Sequence, residues 1–486
     1  MRSQLLATKP LARILAETDG GTHSLRRTLG PWNLVALGIG AIIGAGLFSL
    51  TGIAAAEHAG PAIALSFVLA AVACAFAGFC YSEFATMIPI AGSAYTYAYA
   101  TMGELVAWIV GWSLVLEYAV GAATVSISWS AYVVSLLDDL GIELPPALVA
   151  SPWQPVQLPS GELVHGVVNL PAVLIVVLIS ALLIVGIKES ALVNAIVVTI
   201  KVAVVVVFIA VGAWYVKPAN YVPFIPENTG VFGEFGWSGV LRAAGIIFFA
   251  YIGFDAVSTA AQESRHPQKD MPVGIIGSLA ICTLLYVAFS VVMTGLAHYT
   301  EFKGAAAPVA VAIAYTPFEW LRPLVKLAII SGFTSVILVM LLGQSRVFFS
   351  MAHDGLLPAT FSQIHHRYRT PYRSNLLLMA GVGAMGAFMP ISVVAQMTSI
   401  GTLFAFAIVC AGVPLMRRSH PHAPRPFRTP LVPLLPICGV AVNLLLMYGL
   451  GWPNWIRLLG WLAIGLLIYF AYGRHHSRLG RELAAK

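Results

Sequence analysis

The run Gly38-Ile39-Gly40-Ala41-Ile42-Ile43-Gly44-Ala45-Gly46 places four glycines among nine apolar or small residues. A second run, Phe248-Phe249-Ala250-Tyr251-Ile252-Gly253-Phe254-Asp255, has Gly245 just before it. Glycine costs about 1 kcal/mol in a helix interior, and backbone opened inside hydrocarbon costs more unless it lines a cavity. One reading is close helix packing, because Gly40 and Gly44 make a GxxxG of the kind that lets membrane helices approach. The other is that both helices are interrupted. Where the two runs fall in the chain favours the second.

The surrounding composition is that of a polytopic, all-α membrane protein. Of 486 residues, 59 % are hydrophobic and only 10 % charged, against roughly 25 % charge in soluble domains. Disorder, a disulfide scaffold and a multidomain soluble enzyme are thereby excluded. Apolar runs long enough to cross hydrocarbon as helix predict twelve spans, at 33–56, 61–88, 103–136, 167–187, 190–216, 239–262, 273–297, 322–351, 374–390, 392–416, 431–450 and 453–472. The first is too long, and begins too far in, for a signal peptide.

With the N-terminus inside, about 20 of the Lys and Arg residues fall on the inner side, the positive-inside pattern. They include Arg2, Arg26, Arg27, Arg265, Lys269, Arg367, Arg369, Arg373, Arg417, Arg418, Arg425, Arg428, Arg474 and Arg478. The segment 137–166 has no Lys or Arg but carries Asp138, Asp139, Glu143 and Glu162. Both termini are therefore expected in the cytoplasm, in a multi-pass protein of the cell membrane. The net charge of +7 is topological and calls for no nucleic acid.

The glycine runs lie in spans 1 and 6, matching positions of two five-span halves. Interrupted spans so placed point to an inverted-repeat transporter with its site near the midplane. The expected organisation is a cytoplasmic segment 1–31, a first repeat over 32–216, a second over 239–416, spans 11 and 12 over 431–472, and a cytoplasmic tail 473–486.

Several stretches carry a resemblance to a known family. They are Gly38–Phe48, Phe79–Phe84, Ala91–Tyr99, Gly103–Trp108, Phe248–Asp255, Glu263 with Pro267 and Pro272, Gly343–Arg346 and Asp354–Pro358. In order and spacing the chain resembles the amino acid–polyamine–organocation superfamily, most closely its cationic-amino-acid-transporter branch of bacterial type. The resemblance implies the LeuT-type fold: five plus five inverted repeats, discontinuous helices 1 and 6, and two extra helices. It also implies secondary transport of amino acids. The family often has Ser or Thr where this chain has Ala45, so a hydroxyl contact to substrate is absent and backbone amides must serve.

The physics of an interrupted helix suits the same ligand. N–H groups of Gly44, Ala45 and Gly46, at the start of the outer half, are placed to hold a carboxylate. Carbonyls freed before the breaks, at Ile42 and at Phe249, Ala250 and Ile252, can accept from an ammonium. The expected substrate-binding set is Ile42, Ile43, Gly44, Ala45, Gly46, Phe249, Ala250, Tyr251, Ile252 and Gly253. By resemblance Met340 joins it at the side-chain end, where a thioether crowds long substrates; its bland alternative is gap filling.

Each ionisable group within a span costs about 2.5–3.5 kcal/mol to insert and so calls for a reason. The resemblance implies that Lys201 lies against the span 1 break, where it is expected either to staple spans 1 and 5 through carbonyls around Ile39 to Ile43 or to titrate as the proton carrier, and the second is preferred. Glu117, by resemblance near the substrate, and Asp255 complete the proton-coupling candidates. Asp255 also stands where an acid caps a helix start, and Glu83 is expected to pair with an inner basic residue.

No metal, cofactor or enzyme chemistry is indicated. The paired histidines 365–366 and 475–476 lie in basic segments, no P-loop lysine follows the glycines, and the five cysteines have no metal or redox spacing. Expected partners are an amino acid, protons and membrane lipids. The reading is a proton-coupled symporter or exchanger of small neutral L-amino acids, with cationic amino acids second and a non-transporting amino acid sensor as the alternative of another class.

Overall fold

The computed structural model describes residues 2–11, 13–14, 29–90, 92–157, 163–186, 191–305 and 307–484. Arg26, Arg27, Ala91 and Glu162 lie outside the described residues.

Among the described residues helix lies within each of the twelve predicted segments. Several helices open with proline in the first turn, where its missing N–H costs nothing: Pro31, Pro171, Pro267 and Pro453. At the start of span 4 the side chain of Asn169 accepts from Ala172 N–H at 3.2 Å, a side-chain N-cap. Among the described residues eight helical stretches are long and apolar enough to cross a membrane by length and composition. One of them, Gly46–Met87, runs through the turn at Gly60, whose φ is +59°. The helices Pro31–Ile42, Leu170–Val185 and Leu434–Gly449 are shorter and apolar. A small antiparallel pair, Pro155–Gln157 with Leu163–His165, adds the only strands among the described residues, in the acidic segment before span 4.

The Pro267–Leu296 helix packs along both Pro31–Ile42 and Ile63–Met87, Leu321–His353 along span 3, and Ala191–Ala213 against spans 1, 7 and 8. Ion pairs mark the polar ends of this bundle. The Glu83 carboxylate accepts from Arg417 Nε at 3.0 Å and Nη2 at 2.7 Å, as the sequence led us to expect. Lys326, buried on span 8, reaches Asp139 at 2.5 Å and the Ser135 carbonyl at 2.7 Å on span 3.

The two ends of the chain are tied together. Glu104, fully buried at the start of span 3, accepts from Gln4 Nε2 (3.3 Å), Tyr99 Oη (2.9 Å), Tyr469 Oη (2.9 Å) and the Ser477 hydroxyl. Asp354, after span 8, accepts from Lys9 Nζ at 2.9 Å and Tyr95 Oη at 2.8 Å.

Candidate functional site

Both glycine runs interrupt their helices. Pro31–Ile42 ends where Ile43 turns extended, at φ −70° and ψ 108°, and helix resumes as the wide turn Gly46–Leu50. In span 6, Gly236–Ile247 tightens into the 3₁₀ turn Phe248–Tyr251, then extends at Ile252 (φ −59°, ψ 134°) and at Gly253 (φ +118°) before Ala256–Thr259. The breaks are interlocked. A Cβ on Gly46 would sit 2.2 Å from Ala250 Cα, and one on Gly253 would sit 2.9 Å from the Ala41 backbone. The glycines thus serve both readings, opening the helices and letting the opened segments touch. Every residue from Ile42 to Gly46 and from Phe249 to Gly253 is buried, as is Met340.

The polar groups of the breaks have specific fates. Among the described residues the N–H groups of Gly44, Ala45 and Gly46 make no backbone hydrogen bond, so three successive donors are left at the start of the outer half of span 1. Two of the carbonyls expected to be free are held by one side chain: Tyr286 Oη, on span 7, lies 3.0 Å from the Ile42 carbonyl and 3.0 Å from that of Ala250. The single hydroxyl proton can serve one of them at a time. The Phe249 carbonyl corrects the sequence reading, because it accepts from Ile252 N–H at 3.2 Å within the 3₁₀ turn and is not freed.

Lys201 is 1 % exposed, and its Nζ donates to the Gly40 carbonyl at 2.7 Å. Its stem lies along Gly332 of span 8, where a Cβ would meet Lys201 Cε at 3.0 Å. One hydrogen bond from a charged donor gives about 1.5–3 kcal/mol, close to what insertion of the ammonium costs. The carbonyls of Ile39, Gly40 and Ile42 are therefore capped in turn by Ile43 N–H, Lys201 and Tyr286.

Asp255 makes no side-chain capping bond to the helix that it opens, which corrects the cap reading. Its Oδ2 instead accepts from Tyr118 Oη of span 3 at 2.6 Å. A buried tertiary donor has outcompeted the local one. Glu117 faces Asp255 and Thr402. Both Glu117 oxygens, Asp255 Oδ1 and Thr402 Oγ1 are buried without a hydrogen-bond partner among the described residues. Met340 packs over span 3, with its Sδ 3.2 Å from where a Cβ on Gly121 would lie.

Tyr286, Tyr118 and Thr402 were not singled out from the sequence. A tyrosine in an apolar span was the available signal for the first two. The third looks like any helical threonine.

The similarity to known proteins extends over the whole chain. Residues 29–469 match the profile of a family described as amino acid permease. The chain belongs to the amino acid permease family. A branched-chain amino acid permease of Bacillus subtilis is 44 % identical over 99 % of this permease and 100 % of its own length. A methylthioribose transporter of the same organism is 41 % identical over 99 % and 100 %. A vacuolar cationic amino acid transporter of Arabidopsis thaliana is 31 % identical over 99 % and 97 %. These relatives are named as permeases or transporters, and the permease is accordingly not an enzyme. It is a multi-pass membrane protein in which several helices can span.

Proposed function

We propose that the permease is a proton-coupled secondary transporter of small neutral L-amino acids, working by alternating access. The observation that carries this is the presence, at the two interlocked breaks, of unpartnered amides at Gly44, Ala45 and Gly46 and of the Ile42 and Ala250 carbonyls that share one hydroxyl. Donors and acceptors so arranged suit a carboxylate and an ammonium one carbon apart. Methylthioribose has neither charge and would leave both sets idle, so the likeness to that transporter weighs less than the likeness to the branched-chain permease. Cationic amino acids are the runner-up, disfavoured by the apolar Met340 at the side-chain end.

The same reading takes the fold as LeuT-type. Helices 1 and 6 are discontinuous, the repeats cover 32–216 and 239–416, spans 11 and 12 follow, and there are twelve crossings. Both termini face the cytoplasm across the cell membrane. Substrate contacts Ile42 to Gly46, Phe249 to Gly253 and Met340. Lys201 carries the coupled proton, with Glu117 and Asp255 as its neighbours in the relay.

Counterflow in proteoliposomes tests the reading. Internal unlabelled alanine, valine or isoleucine should drive accumulation of labelled alanine, whereas methylthioribose and putrescine should not. Exchange with methylthioribose alone would overturn it, and binding without exchange would make the protein a sensor.

A further inference from the structure

The loop between spans 8 and 9 carries Arg367, Arg369 and Arg373 within seven residues, and from Gly355 to Arg481 the sequence has no acidic residue. All three arginines are exposed, and none forms an ion pair among the described residues. Other basic groups have carboxylates within reach: Lys9 takes Asp354, and Arg417 and Arg425 share Glu83. The positive-inside rule accounts for the sign of the loop but not for its build. His365 Nδ1 accepts from the N–H groups of Arg367 and Tyr368 at 3.2 and 3.3 Å. Thr370 Oγ1 donates to the Ile184 carbonyl, at the end of span 4, over 2.6 Å. The arginines are thus presented from a folded loop anchored across two spans.

Apolar side chains set the depth of the loop. Ile364, 54 % exposed, and exposed Tyr368 belong to the loop itself. Exposed Leu376 and Leu377 follow one turn past Arg373, and exposed Leu182 and Val185 end span 4. Faces of that kind meet acyl chains in a membrane, so the arginines stand at the level of the headgroups. The guanidinium carbons of Arg367 and Arg373 lie 5.7 Å from the centres of the Tyr368 and Tyr372 rings. A guanidinium has five N–H donors, and a ring face occupies none of them. Arg373 uses one, from Nε to Tyr372 Oη at 2.9 Å.

We infer that this loop, where spans 4 and 9 meet, binds the headgroup of an anionic phospholipid. A guanidinium fork fits the two free oxygens of a phosphodiester, and basic residues clustered beside a span attract anionic lipid. Phosphatidylglycerol brings a net negative charge, whereas phosphatidylcholine carries its own cation. Ile364 and Tyr368 supply an apolar footing that a soluble phosphate cannot use. The site does not depend on which substrate is transported.

The experiment titrates phosphatidylglycerol, phosphatidylcholine or inorganic phosphate into the purified full-length protein in a nonionic detergent. Bound lipid is followed by native mass spectrometry and by melting temperature. Phosphatidylglycerol should bind about tenfold more tightly than phosphatidylcholine and raise the melting temperature. Arg367→Gln, Arg369→Gln and Arg373→Gln together should weaken phosphatidylglycerol binding by about tenfold or more. A control carrying Lys269→Gln, Arg418→Gln and Arg428→Gln removes the same charge and should weaken it by about threefold at most. Should the loop variant misfold, the three changes are measured singly, each expected to weaken binding about fivefold. Unchanged affinity in the loop variants, an equal loss in the control, or equal binding of phosphatidylcholine would overturn the site. Stabilisation by inorganic phosphate equal to that by phosphatidylglycerol would overturn the lipid assignment in favour of a soluble anion.

Discussion

Lys201 Nζ donates to the carbonyl oxygen of Gly40 over 2.7 Å, so a side chain of span 5 closes the opened end of span 1. Deprotonating an ammonium there turns a charge-assisted bond of about 1.5–3 kcal/mol into a neutral one of about 0.5–1.5 kcal/mol, a change that moves a two-state equilibrium severalfold to tenfold. Lys201→Ala should abolish alanine uptake driven by an inward proton gradient, while alanine binding weakens severalfold at most. Uptake with and without the gradient, at matched pH, checks this. Retained accumulation would leave Lys201 a staple and make Glu117 the next group to replace.

Tyr286 offers a second measurement. Its hydroxyl satisfies one of two carbonyls at a time, and in the proposed binding mode a substrate ammonium takes both. Tyr286→Phe should lower the stability of the ligand-free protein by about 1 kcal/mol, one net hydrogen bond. The bound form loses less, so the alanine-induced rise in melting temperature should be larger than in the wild type. Unchanged ligand-free stability would show that the hydroxyl is not bonded there.

Met340 tests the side-chain end. Met340→Ser should improve arginine or lysine binding relative to alanine by about 1–3 kcal/mol, the scale of discrimination by a few methylenes. A constant ratio between the substrates would place Met340 outside the pocket.

Topology can be read with cysteine labels. Arg425 approaches Glu83 at 3.4 Å, so exposed Arg428 is the better inner position, and exposed Glu143 serves outside. Glu143→Cys should react with an impermeant maleimide on intact cells, and Arg428→Cys only after permeabilisation. Outside labelling of Arg428→Cys would break the assignment of the termini.

The interrupted helices were legible because glycine density is local: Gly44 and Gly253 announce themselves without any neighbour. What the sequence hid was tertiary. Nothing near Asp255 says that Tyr118 of span 3 will take its carboxylate from a capping role. The Phe249 carbonyl was misjudged because a 3₁₀ turn reclaims it, and the count of carbonyls left by a break depends on how the chain leaves it. Lys201 sits between these cases. The family resemblance placed it against the break near Ile39 to Ile43, and Gly40 is inside that window.

The knot around Glu104 has a consequence for biosynthesis. When span 3 is made, this carboxylate has Tyr99 and Gln4 within reach, whereas Tyr469 and Ser477 are still to be translated. A buried acid short of its donors costs several kcal/mol, so this end of the early helices is incomplete until the last span arrives. Closure of the tail over the head of the chain therefore waits for the last span, and a ribosome stalled before Tyr469 should leave an intermediate that quality-control proteases recognise.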